Sequence, residues 1–373
     1  MLTTTRHRIL LLIPHLGGGG AERVTALLAR GLSAEKYELH LGVITRAGGG
    51  EVPSWVPLHA LGAPRVRAGA FRLLQLVRQL KPDLILSGMF HLNFLVLLLR
   101  PFFPSGTCVL VRQNGTVSSS LAFSRLPWYT RPLYRLLYRR ADQVICQTQA
   151  MAADLARELK LHENRLAVLP NPVDVMDIRA AIDQERRPPE ATGPHLLAVG
   201  RLSREKGFDL LLQALVPVRK KYPSVRLLIA GSGPEEAALK AASHALGLDS
   251  AVRFAGYMAH PWPCFAAAAL FVLPSRHEGL PNALLEAAAA GLPIVALPAS
   301  GGVVDLLRGQ PGVWLAPEIS AEALAASLLA ALGSLRPEER FTHSFVEDFR
   351  IDRAITAYEK LMDATLAKSG KSK

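Results

Sequence analysis

The sequence predicts an α/β protein of two Rossmann-like, doubly wound domains that face each other across a cleft. Short apolar runs alternate with longer helical patterns along most of the 373 residues, and several runs are apolar throughout, as is typical of parallel strands buried on both faces. The alternation stops near residue 170 and restarts near residue 195. A chain of this length also exceeds what one hydrophobic core usually supports, so two domains are expected.

The first half of the chain carries six candidate strands with helical patterns between them. Each strand candidate is a short, mostly apolar run, whereas the apolar residues of the helices recur every three or four positions. The predicted strands are Ile9–Pro14, Glu38–Ile44, Leu84–Gly88, Val109–Gln113, Gln143–Gln147 and Leu166–Leu169. The predicted helices include Glu22–Leu32, Phe71–Leu80 and Met151–Lys160.

The second half repeats the same alternation after a polar segment. The predicted strands are Leu196–Gly200, Val225–Ala230, Val252–Phe254, Leu270–Leu273, Ile294–Leu297 and Val313–Ala316. The predicted helices are Phe208–Lys221, Glu235–Leu246, Asn282–Ala290, Ala321–Leu332 and Ile351–Leu366. We therefore expect a first domain over 1–170, a linker over 171–194, a second domain over 195–350, and a C-terminal helix and tail over 351–373 that pack back on the first domain.

The composition excludes several classes of protein. Half of the residues are hydrophobic and a fifth are charged, which is ordinary for a folded chain. Cys108, Cys146 and Cys264 lie far apart without metal-ligand spacing, which favours three buried thiols in a reducing cytoplasm. No signal peptide is expected, and the most hydrophobic stretch, Leu92–Phe103, is broken by Arg100 and Pro101 and is too short to cross a bilayer.

The positive charge is concentrated in the first half. The formal net charge is +12; residues 1–170 contain 21 lysines and arginines against nine aspartates and glutamates, whereas the rest of the chain is balanced. Such an asymmetry indicates a negatively charged partner for the first half.

A glycine-rich loop follows the first predicted strand. Residues Gly17–Gly20 precede a helix that begins near Ala21, and His15 lies just before them. Glycines let a ligand approach the backbone, and the N-terminus of a helix favours anions, so the loop is a candidate phosphate site. A tight turn without a ligand explains the same residues.

A second loop carries two cations. Arg201 and Lys206 lie between a predicted strand and a predicted helix in Gly-Arg-Leu-Ser-Arg-Glu-Lys-Gly. A guanidinium fork and a mobile ammonium five residues apart suit a diphosphate. The alternative is a solvated basic loop. The later turn Gly231–Glu235 is mainly structural, because its acidic first helical turn disfavours phosphate.

A third segment combines carboxylates with a candidate anion site. Glu278 precedes Gly279 and Leu280 at the end of a strand, and Glu286 follows on the helix that begins near Pro281. Backbone N–H groups in this turn can hold a phosphate oxygen, and carboxylates accept hydrogen bonds from sugar hydroxyls. This arrangement suits a ligand that contains both phosphate and sugar.

These motifs resemble those of family 4 glycosyltransferases. Two glutamates separated by seven residues within Ser-Arg-His-Glu-Gly-Leu-Pro-Asn are similar to that family's hallmark. The Gly200–Gly207 turn, Gly-Gly-Ala-Glu-Arg, Asn171-Pro172-Val173-Asp174 and Ala230–Glu235 match it in the same order. The resemblance implies the GT-B fold, with acceptor binding in the first domain and nucleotide-sugar binding in the second.

The resemblance also implies roles for individual residues. Arg201, Lys206 and Glu278 would be catalytic, the two cations by neutralising the leaving diphosphate. Glu286 would bind the ribose, Glu278 the transferred sugar, and the turn at Gly256 and Tyr257 the base. The implied donor-binding residues are Gly18, Gly19, Arg201, Lys206, Gly256, Tyr257, Glu278, Gly279, Leu280 and Glu286.

The implied activity is that of a hexosyltransferase-type enzyme that retains the donor's anomeric configuration. The donor would be a nucleotide diphosphate sugar, with a UDP-sugar favoured. No metal or other cofactor is expected, since the chain contains no Asp-x-Asp pair, the usual metal–nucleotide grip of other glycosyltransferases. A front-face departure without a covalent intermediate fits the family.

The acceptor side is less defined. Many members of the family carry a histidine after the fourth or fifth strand of the first domain, but here the strand Val109–Val111 is followed by Arg112-Gln113-Asn114. His15, Arg112 and Asn114 are therefore the candidate acceptor-binding residues, and a lone histidine such as His15 is equally explained as a polar turn residue.

A basic and aromatic segment lies in the same half. Arg131, Arg135 and Arg139 recur every four residues and predict one basic ridge on a helix. Trp128, Tyr129, Tyr134 and Tyr138 are membrane-interface residue types. The alternative is a helix packed on the sheet with a solvated basic face. We expect a peripheral protein on the inner face of the cytoplasmic membrane, with an anionic lipid surface as a partner.

These expectations lead to one function and two alternatives. The expected function is the transfer of a sugar to a glycan or a polyprenyl-diphosphate-linked saccharide in the assembly of lipopolysaccharide or another cell-envelope polysaccharide or glycolipid. The alternatives are a nucleotide-sugar epimerase of the same fold, which would lack the two-glutamate frame, and a basic nucleic-acid-binding protein. No nucleic-acid motif is present, so nucleic acid is not expected as a partner.

Overall fold

The computed structural model of the chain describes residues 6–17, 19–45, 52–118, 130–184, 194–336 and 339–370. The chain divides into two compact units. Unit 1 comprises residues 1–172 together with 351–373, and unit 2 comprises residues 173–350. The chain thus leaves unit 1, builds unit 2, and returns to unit 1 for its last helix.

Unit 1 is built on a seven-stranded parallel sheet. Its strands, β1 to β7, are His7–Ile13, Tyr37–Val43, Leu58–Ala60, Leu84–Gly88, Cys108–Arg112, Gln143–Cys146 and Leu166–Val168. Their order in the sheet is β3-β2-β1-β4-β5-β6-β7. The helices, α1 to α5 and the C-terminal α13, are Gly20–Gly31, Ala70–Leu80, Phe90–Leu99, Thr130–Tyr138, Gln149–Leu159 and Ile351–Lys368.

Unit 2 repeats the plan with six parallel strands. They are β8 to β13: His195–Val199, Arg226–Ala230, Val252–Gly256, Leu270–Leu273, Ile294–Ala296 and Val313–Leu315, in the order β10-β9-β8-β11-β12-β13. Its helices, α6 to α12, are Val175–Gln184, Phe208–Lys221, Glu236–Ala245, Trp262–Ala267, Asn282–Ala289, Gly301–Leu307 and Ala321–Ser334. Two Rossmann-like domains with parallel sheets confirm the predicted fold class.

Helices cover both faces of the unit 1 sheet because successive strand residues point to opposite faces. On β1, Ile9 and Leu11 pack with α1 and α13, whereas Leu10 and Leu12 pack with α2 to α5. Both sets are fully buried, which explains why the strand reads as an unbroken apolar run. At roughly 1.5–3 kcal/mol for each large apolar side chain removed from water, this central strand is a major source of unit 1 stability.

The C-terminal helix is part of unit 1. Tyr37 Oη donates to Asp363 Oδ1 at 2.5 Å, and Lys36 Nζ lies 2.8 Å from Glu359 Oε2. Gly31 at the end of α1 lies so close to Ile355 that a Cβ at that position would overlap the isoleucine side chain. The close approach therefore requires glycine, and the helix completes one face of the sheet.

Two segments differ from the sequence prediction. The linker predicted over 171–194 contains helix α6, Val175–Gln184, whose Val175 and Ile178 are buried in unit 2. These two residues are three positions apart, which is the apolar spacing of a packed helix. Only the later part of the predicted linker lacks this spacing. The short strand β3 was not predicted, since two of its three residues are exposed, the third is half-exposed, and the strand carries little apolar signal.

The most hydrophobic stretch is a buried helix. Helix α3 packs its leucines into the core of unit 1 and ends at a short 3₁₀ turn, Arg100–Phe102. In the described part of the chain, no helix combines the length and the apolar character that crossing a membrane requires.

Candidate active site

The sheet order of unit 2 locates its ligand-binding edge. The chain runs from the central strand β8 outward through β9 to β10, then returns to β11 on the other side of β8. The loops after β8 and β11 therefore diverge at the carboxyl ends of the strands, which is where parallel sheets bind ligands. These two loops carry the predicted residues Arg201, Lys206 and Glu278.

An ion pair joins the two loops. Lys206 Nζ donates to Glu278 Oε1 at 2.5 Å, and Ser275 Oγ donates to the same oxygen at 2.7 Å. Glu278 and Ser275 are buried, whereas Lys206 is half-buried. Two residues that are 72 positions apart in the chain thus form one charged centre at the edge of the sheet.

Backbone contacts fix the separation of these loops. Gly207 has φ +65°, and a Cβ there would overlap the carbonyl oxygen of Pro274. Arg276 N donates to Glu205 O at 2.8 Å. The loop with Lys206 is therefore held against the loop with Glu278 by main-chain packing, which a side chain at residue 207 would prevent.

A second ion pair supports the same junction. Arg276 donates through both Nη1 and Nη2 to the two carboxylate oxygens of Asp209, each at 2.6 Å. Burial raises the pKa of Asp209, but the hydrogen bonds and charge of Arg276 outweigh it, so the pKa lies below its usual range. The guanidinium of Arg276 therefore joins the start of α7 to the Glu278 loop and fixes the two segments relative to each other.

The glycine turn after β9 is structural. A Cβ at Gly231 would overlap the carbonyl oxygen of Gly200, and one at Gly233 would overlap that of Leu202. Leu202 N donates to Ser232 O at 3.0 Å. The turn therefore packs directly under the Arg201 loop and sets its path.

The remaining donor-side residues lie around this edge. Arg201 is exposed, and its guanidinium makes no hydrogen bond or ion pair within the described ranges. Glu286 is buried in the second turn of α10. Gly279 and Leu280 are buried in the loop before α10, where Gly279 O accepts from Ser300 Oγ at 3.3 Å.

The predicted base-binding turn ends the edge strand β10. Gly256 has φ +73°, a left-handed conformation that favours glycine, and Gly231 N donates to its carbonyl oxygen at 2.7 Å. The next residue, Tyr257, is exposed. The turn is thus fixed to the glycine turn after β9, and it presents an aromatic ring to solvent.

The sheet order of unit 1 places its own switch point between β1 and β4. His15 lies two residues after β1, and its Nδ1 accepts from Gly17 N at 3.1 Å and lies 3.3 Å from Glu22 Oε1. The two contacts are alternatives, since Nδ1 accepts from Gly17 only when unprotonated and pairs with Glu22 only when protonated. Gly18 lies outside the described residues.

The glycine loop already faces a carboxylate. Glu22 is buried and folds back over Gly19, so a Cβ at Gly19 would overlap the Glu22 carboxylate. A negative group at the first turn complements the positive end of the α1 dipole. The proposed anion site at this loop therefore competes with the chain's own acid.

Sequence reasoning missed a histidine at the same switch point. His91 is the second residue of α3, three residues after β4, and Met89 between them has φ +73°, a strained conformation for a residue with a side chain. Partial burial, and then the charge of His15, lower the pKa of His91. The signal was available, because the histidine follows the predicted strand Leu84–Gly88, which is the third predicted strand and the fourth in the structure.

The candidate acceptor residues Arg112 and Asn114 are joined to each other. Arg112 is buried, and its Nη1 donates to Asn114 Oδ1 at 2.5 Å. Its other contacts are Asn171 Oδ1 and Tyr358 Oη. The guanidinium therefore faces the interior of unit 1, while Asn114 is half-exposed beside it.

The basic helix differs from its prediction. Helix α4 ends at Tyr138, so Arg139 follows the helix, and Arg131 and Arg135 bind Glu158 through its carboxylate and its carbonyl. Tyr134 is buried and stacks on a neighbouring tyrosine and on a phenylalanine of α3, because this face of the helix packs on the core. Tyr134 and Tyr138, which were predicted at a membrane interface, are core residues, whereas Trp128 and Tyr129 lie outside the described residues.

No group of three or more histidine, cysteine, aspartate or glutamate side chains in the described ranges has an arrangement that could hold a metal ion.

Comparison with protein families identifies the chain. A model described as Glycosyltransferase Family 4 matches residues 18–176, and one described as Glycosyl transferases group 1 matches residues 193–334. The two matches cover most of both units.

The chain belongs to the family 4 glycosyltransferases. Sequence relatives agree with this assignment: the Lipopolysaccharide core biosynthesis glycosyltransferase LpsE of Rhizobium meliloti is 29% identical over 370 residues, which cover 93% of this chain and 97% of LpsE. The predicted family is therefore confirmed, and the chain is an enzyme of the glycosyltransferase class. Neither the epimerase nor the nucleic-acid-binding alternative receives support.

Solved structures of glycosyltransferases share the fold. HepE of Anabaena, solved in complex with UDP and glucose, has a TM-score of 0.75 at 18% identity and covers 96% of this chain and 99% of its own. WaaG, described as a glycosyltransferase involved in lipopolysaccharide biosynthesis, has a TM-score of 0.72 at 18% identity, with 96% and 99% covered. The fold of this glycosyltransferase is thus of the GT-B type.

Proposed function

We propose that this glycosyltransferase moves a hexose from a nucleotide diphosphate sugar, with a UDP-sugar favoured, to a glycan or lipid-linked saccharide during the assembly of lipopolysaccharide or another cell-envelope polysaccharide. The Lys206–Glu278 pair at the switch point of unit 2 carries the proposal. The names of LpsE and WaaG, both connected with lipopolysaccharide, support the pathway class.

The diphosphate is the group on which negative charge grows during transfer. Arg201 offers a guanidinium without a partner among described residues, and Lys206 lies on the same loop. Cations fixed next to a leaving diphosphate stabilise the charge that develops there. Lys206 can turn from Glu278 toward the diphosphate, and it is the residue whose loss lowers turnover most.

The carboxylates suit the sugar and the ribose. Glu278 is anchored by Ser275 Oγ at 2.7 Å and accepts hydrogen bonds from the hydroxyls of the transferred sugar. Glu286 holds the ribose hydroxyls, and the turn at Gly256 and Tyr257 receives the base. The structures of HepE with UDP, and with UDP and glucose, support a donor of this class.

The switch point of unit 1 suits the acceptor. His15 and His91 lie there, and the lowered pKa of His91 leaves it neutral near neutral pH, able to accept a proton or a hydrogen bond from a sugar hydroxyl. Gly19 in the glycine loop contributes backbone close to the same point. The reaction retains the anomeric configuration, and the chain's own cations replace a metal at the diphosphate.

The charge of unit 1 supports a peripheral association with the membrane. Residues 1–170 hold 21 basic and nine acidic residues, and Arg139 is exposed beyond the end of α4. Each basic residue near an anionic bilayer contributes about 1 kcal/mol of binding. We propose that the enzyme works on the inner face of the cytoplasmic membrane, where a polyprenyl-diphosphate-linked acceptor is available.

Thermal unfolding with a panel of nucleotide sugars tests the donor. A ligand at 100 times its Kd stabilises its target by about 2.7 kcal/mol, so the true donor should raise Tm clearly, and the rise should shrink in Lys206→Ala and Glu286→Ala. Equal shifts in the wild type and both variants would remove the donor-site assignment. Nuclear magnetic resonance of the product decides between retention and inversion of the anomeric configuration. Activity in excess EDTA tests whether the reaction needs a metal ion.

Flotation with vesicles tests the membrane proposal. The protein should float with phosphatidylglycerol vesicles at low salt and be released at high salt, and it should remain behind with phosphatidylcholine vesicles. A parallel titration with duplex DNA separates lipid binding from general binding to phosphates. Tight binding to DNA, with no flotation, contradicts the proposal.

A further inference from the structure

Arg112 is a buried cation that has no counter-charge among the residues that the structure describes. Its side chain belongs to a residue only 4% exposed, and its three hydrogen bonds reach the neutral oxygens of Asn114, Asn171 and Tyr358. No carboxylate within the described ranges pairs with it. A charge removed from water normally requires an ionic partner, since hydrogen bonds to neutral groups offset only a part of the desolvation.

Four acids of unit 1 are engaged with other groups. Glu38 pairs with Arg8, Asp142 with Arg100, and Glu158 with Arg131. Asp154 accepts from the backbone of Val117. Unit 1 therefore buries a positive charge while these four acids bind other groups.

Asn114 connects the buried guanidinium of Arg112 to the surface. Its Oδ1 accepts from Arg112 Nη1 at 2.5 Å and from Gln147 Nε2 at 3.4 Å. Because both donors bind the oxygen, the amide nitrogen points away from them, and Nδ2 has no acceptor within the described part of the chain. Arg112 thus fixes the amide and polarises it as a donor.

The pair lies next to the switch point of unit 1. Arg112 is the last residue of β5 and is in register with Gly88, the last residue of β4, which leads to His91. Asn93 on α3 donates to the Arg112 carbonyl oxygen at 2.9 Å. The carboxyl ends of adjacent parallel strands meet at one edge, so Asn114 belongs to the edge that binds ligands.

We infer that Asn114 and Arg112 form an oxyanion subsite, in which Nδ2 of Asn114 binds an anionic group of the acceptor, a phosphate or a carboxylate. Arg112 acts as the positioning residue. The subsite rests on the proposed function and deepens it, because it makes the acceptor a charged saccharide or lipid-linked saccharide. The anion supplies the counter-charge that the buried guanidinium lacks.

Asn114→Asp separates this role from a merely structural one. Aspartate has the same shape and keeps both contacts of Oδ1, but it adds the missing negative charge. We expect Tm to rise by about 2–4 °C, the shift that one gained charge-assisted hydrogen bond gives in a domain of this size. We also expect anion binding to weaken at least tenfold. Asn164→Asp, at an exposed residue of unit 1, is the matched control for the charge change.

The probe is inorganic phosphate, titrated by calorimetry while a saturating nucleoside diphosphate occupies unit 2. Acetate replaces phosphate in a second series and distinguishes a phosphate group from a carboxylate. The inference is supported if only Asn114→Asp gains stability and loses anion binding. It is overturned if Asn114→Asp is not stabilised, if its anion affinity equals that of the wild type, if Asn164→Asp loses the same affinity, or if neither anion binds the wild type.

The proposed function has its own, separate readout. If no nucleotide sugar raises Tm, the donor proposal fails whatever phosphate does. If a nucleotide sugar stabilises the protein and the phosphate titration is unaffected by Asn114→Asp, the enzyme assignment stands and the subsite alone is rejected.

Discussion

Replacing Lys206 by alanine should destabilise unit 2, because it leaves a buried carboxylate without its cation. The side chains of Lys206 and Glu278 are 24% and 9% exposed. Removing one partner of a fully buried pair costs about 3–5 kcal/mol. Since Lys206 is partly exposed and Ser275 Oγ still donates to the carboxylate, we expect about 2 kcal/mol, which corresponds to a fall in Tm of about 4–8 °C for a domain of this size.

Differential scanning calorimetry of the ligand-free protein measures this loss in the unit 2 transition. Lys240→Ala is the control, because Lys240 pairs with Glu236 at 2.7 Å on an exposed surface of the same unit and such pairs contribute about 0.2–1 kcal/mol. The double variant Lys206→Ala/Glu278→Gln should be no less stable than Lys206→Ala, since a neutral amide needs no cation. The reasoning is refuted if Lys206→Ala and Lys240→Ala lower Tm equally, or if the losses of the single variants add in the double variant.

Three further outcomes are expected. Glu286→Ala should reduce the Tm rise produced by the donor nucleotide and leave the ligand-free Tm of unit 1 unchanged. Gly207→Ala should yield little folded protein, because the residue has φ +65° and meets a backbone carbonyl, whereas Gly247→Ala, with φ +67° and open space, should cost only about 1 kcal/mol. Asp209→Asn should lower the free energy of unfolding equally at pH 7 and pH 5, and the difference from wild type should shrink below about pH 4. The reason is that a carboxylate whose folded pKa is lowered by Arg276 loses its contribution to stability as the pH falls through that pKa. Urea unfolding at each pH measures the free energy of unfolding of both proteins.

The strands of both sheets could be predicted from the sequence, because buried parallel strands leave an unbroken apolar run. Each predicted strand is present with ends within two residues, including Leu84–Gly88 and Leu270–Leu273 with the predicted bounds. The mostly exposed strand Leu58–Ala60 left no such run and was missed. The pattern of apolar residues reflects burial, so it does not reveal elements that bury few residues.

The sequence predicted which loops form the candidate site, but not which of their atoms are in contact. Placing Lys206 and Glu278 after adjacent strands follows from the order of elements, but their direct contact depends on Gly207 packing against the loop with Ser275, which no local pattern encodes. His91 was missed although it follows a predicted strand, because the histidine was sought after the next one. Motifs identify which loops meet, and backbone packing decides which atoms touch.

The sequence also did not determine which face of helix α4 packs on the core of unit 1. Tyr134 and Arg131 are three residues apart, yet one packs in the core and the other binds Glu158 at the surface. The amphipathic pattern is compatible with either face turned inward, and only the neighbouring helix decides. The excess of positive charge was visible in the sequence, but the location of a buried arginine without a carboxylate partner among the described residues was not. Arg112 became conspicuous only when the structure assigned Glu38, Asp142 and Glu158 to other arginines. A shortage of acids in a sequence therefore predicts an anionic partner for a domain, whereas the residue that meets it emerges only when each acid has been matched with its contact.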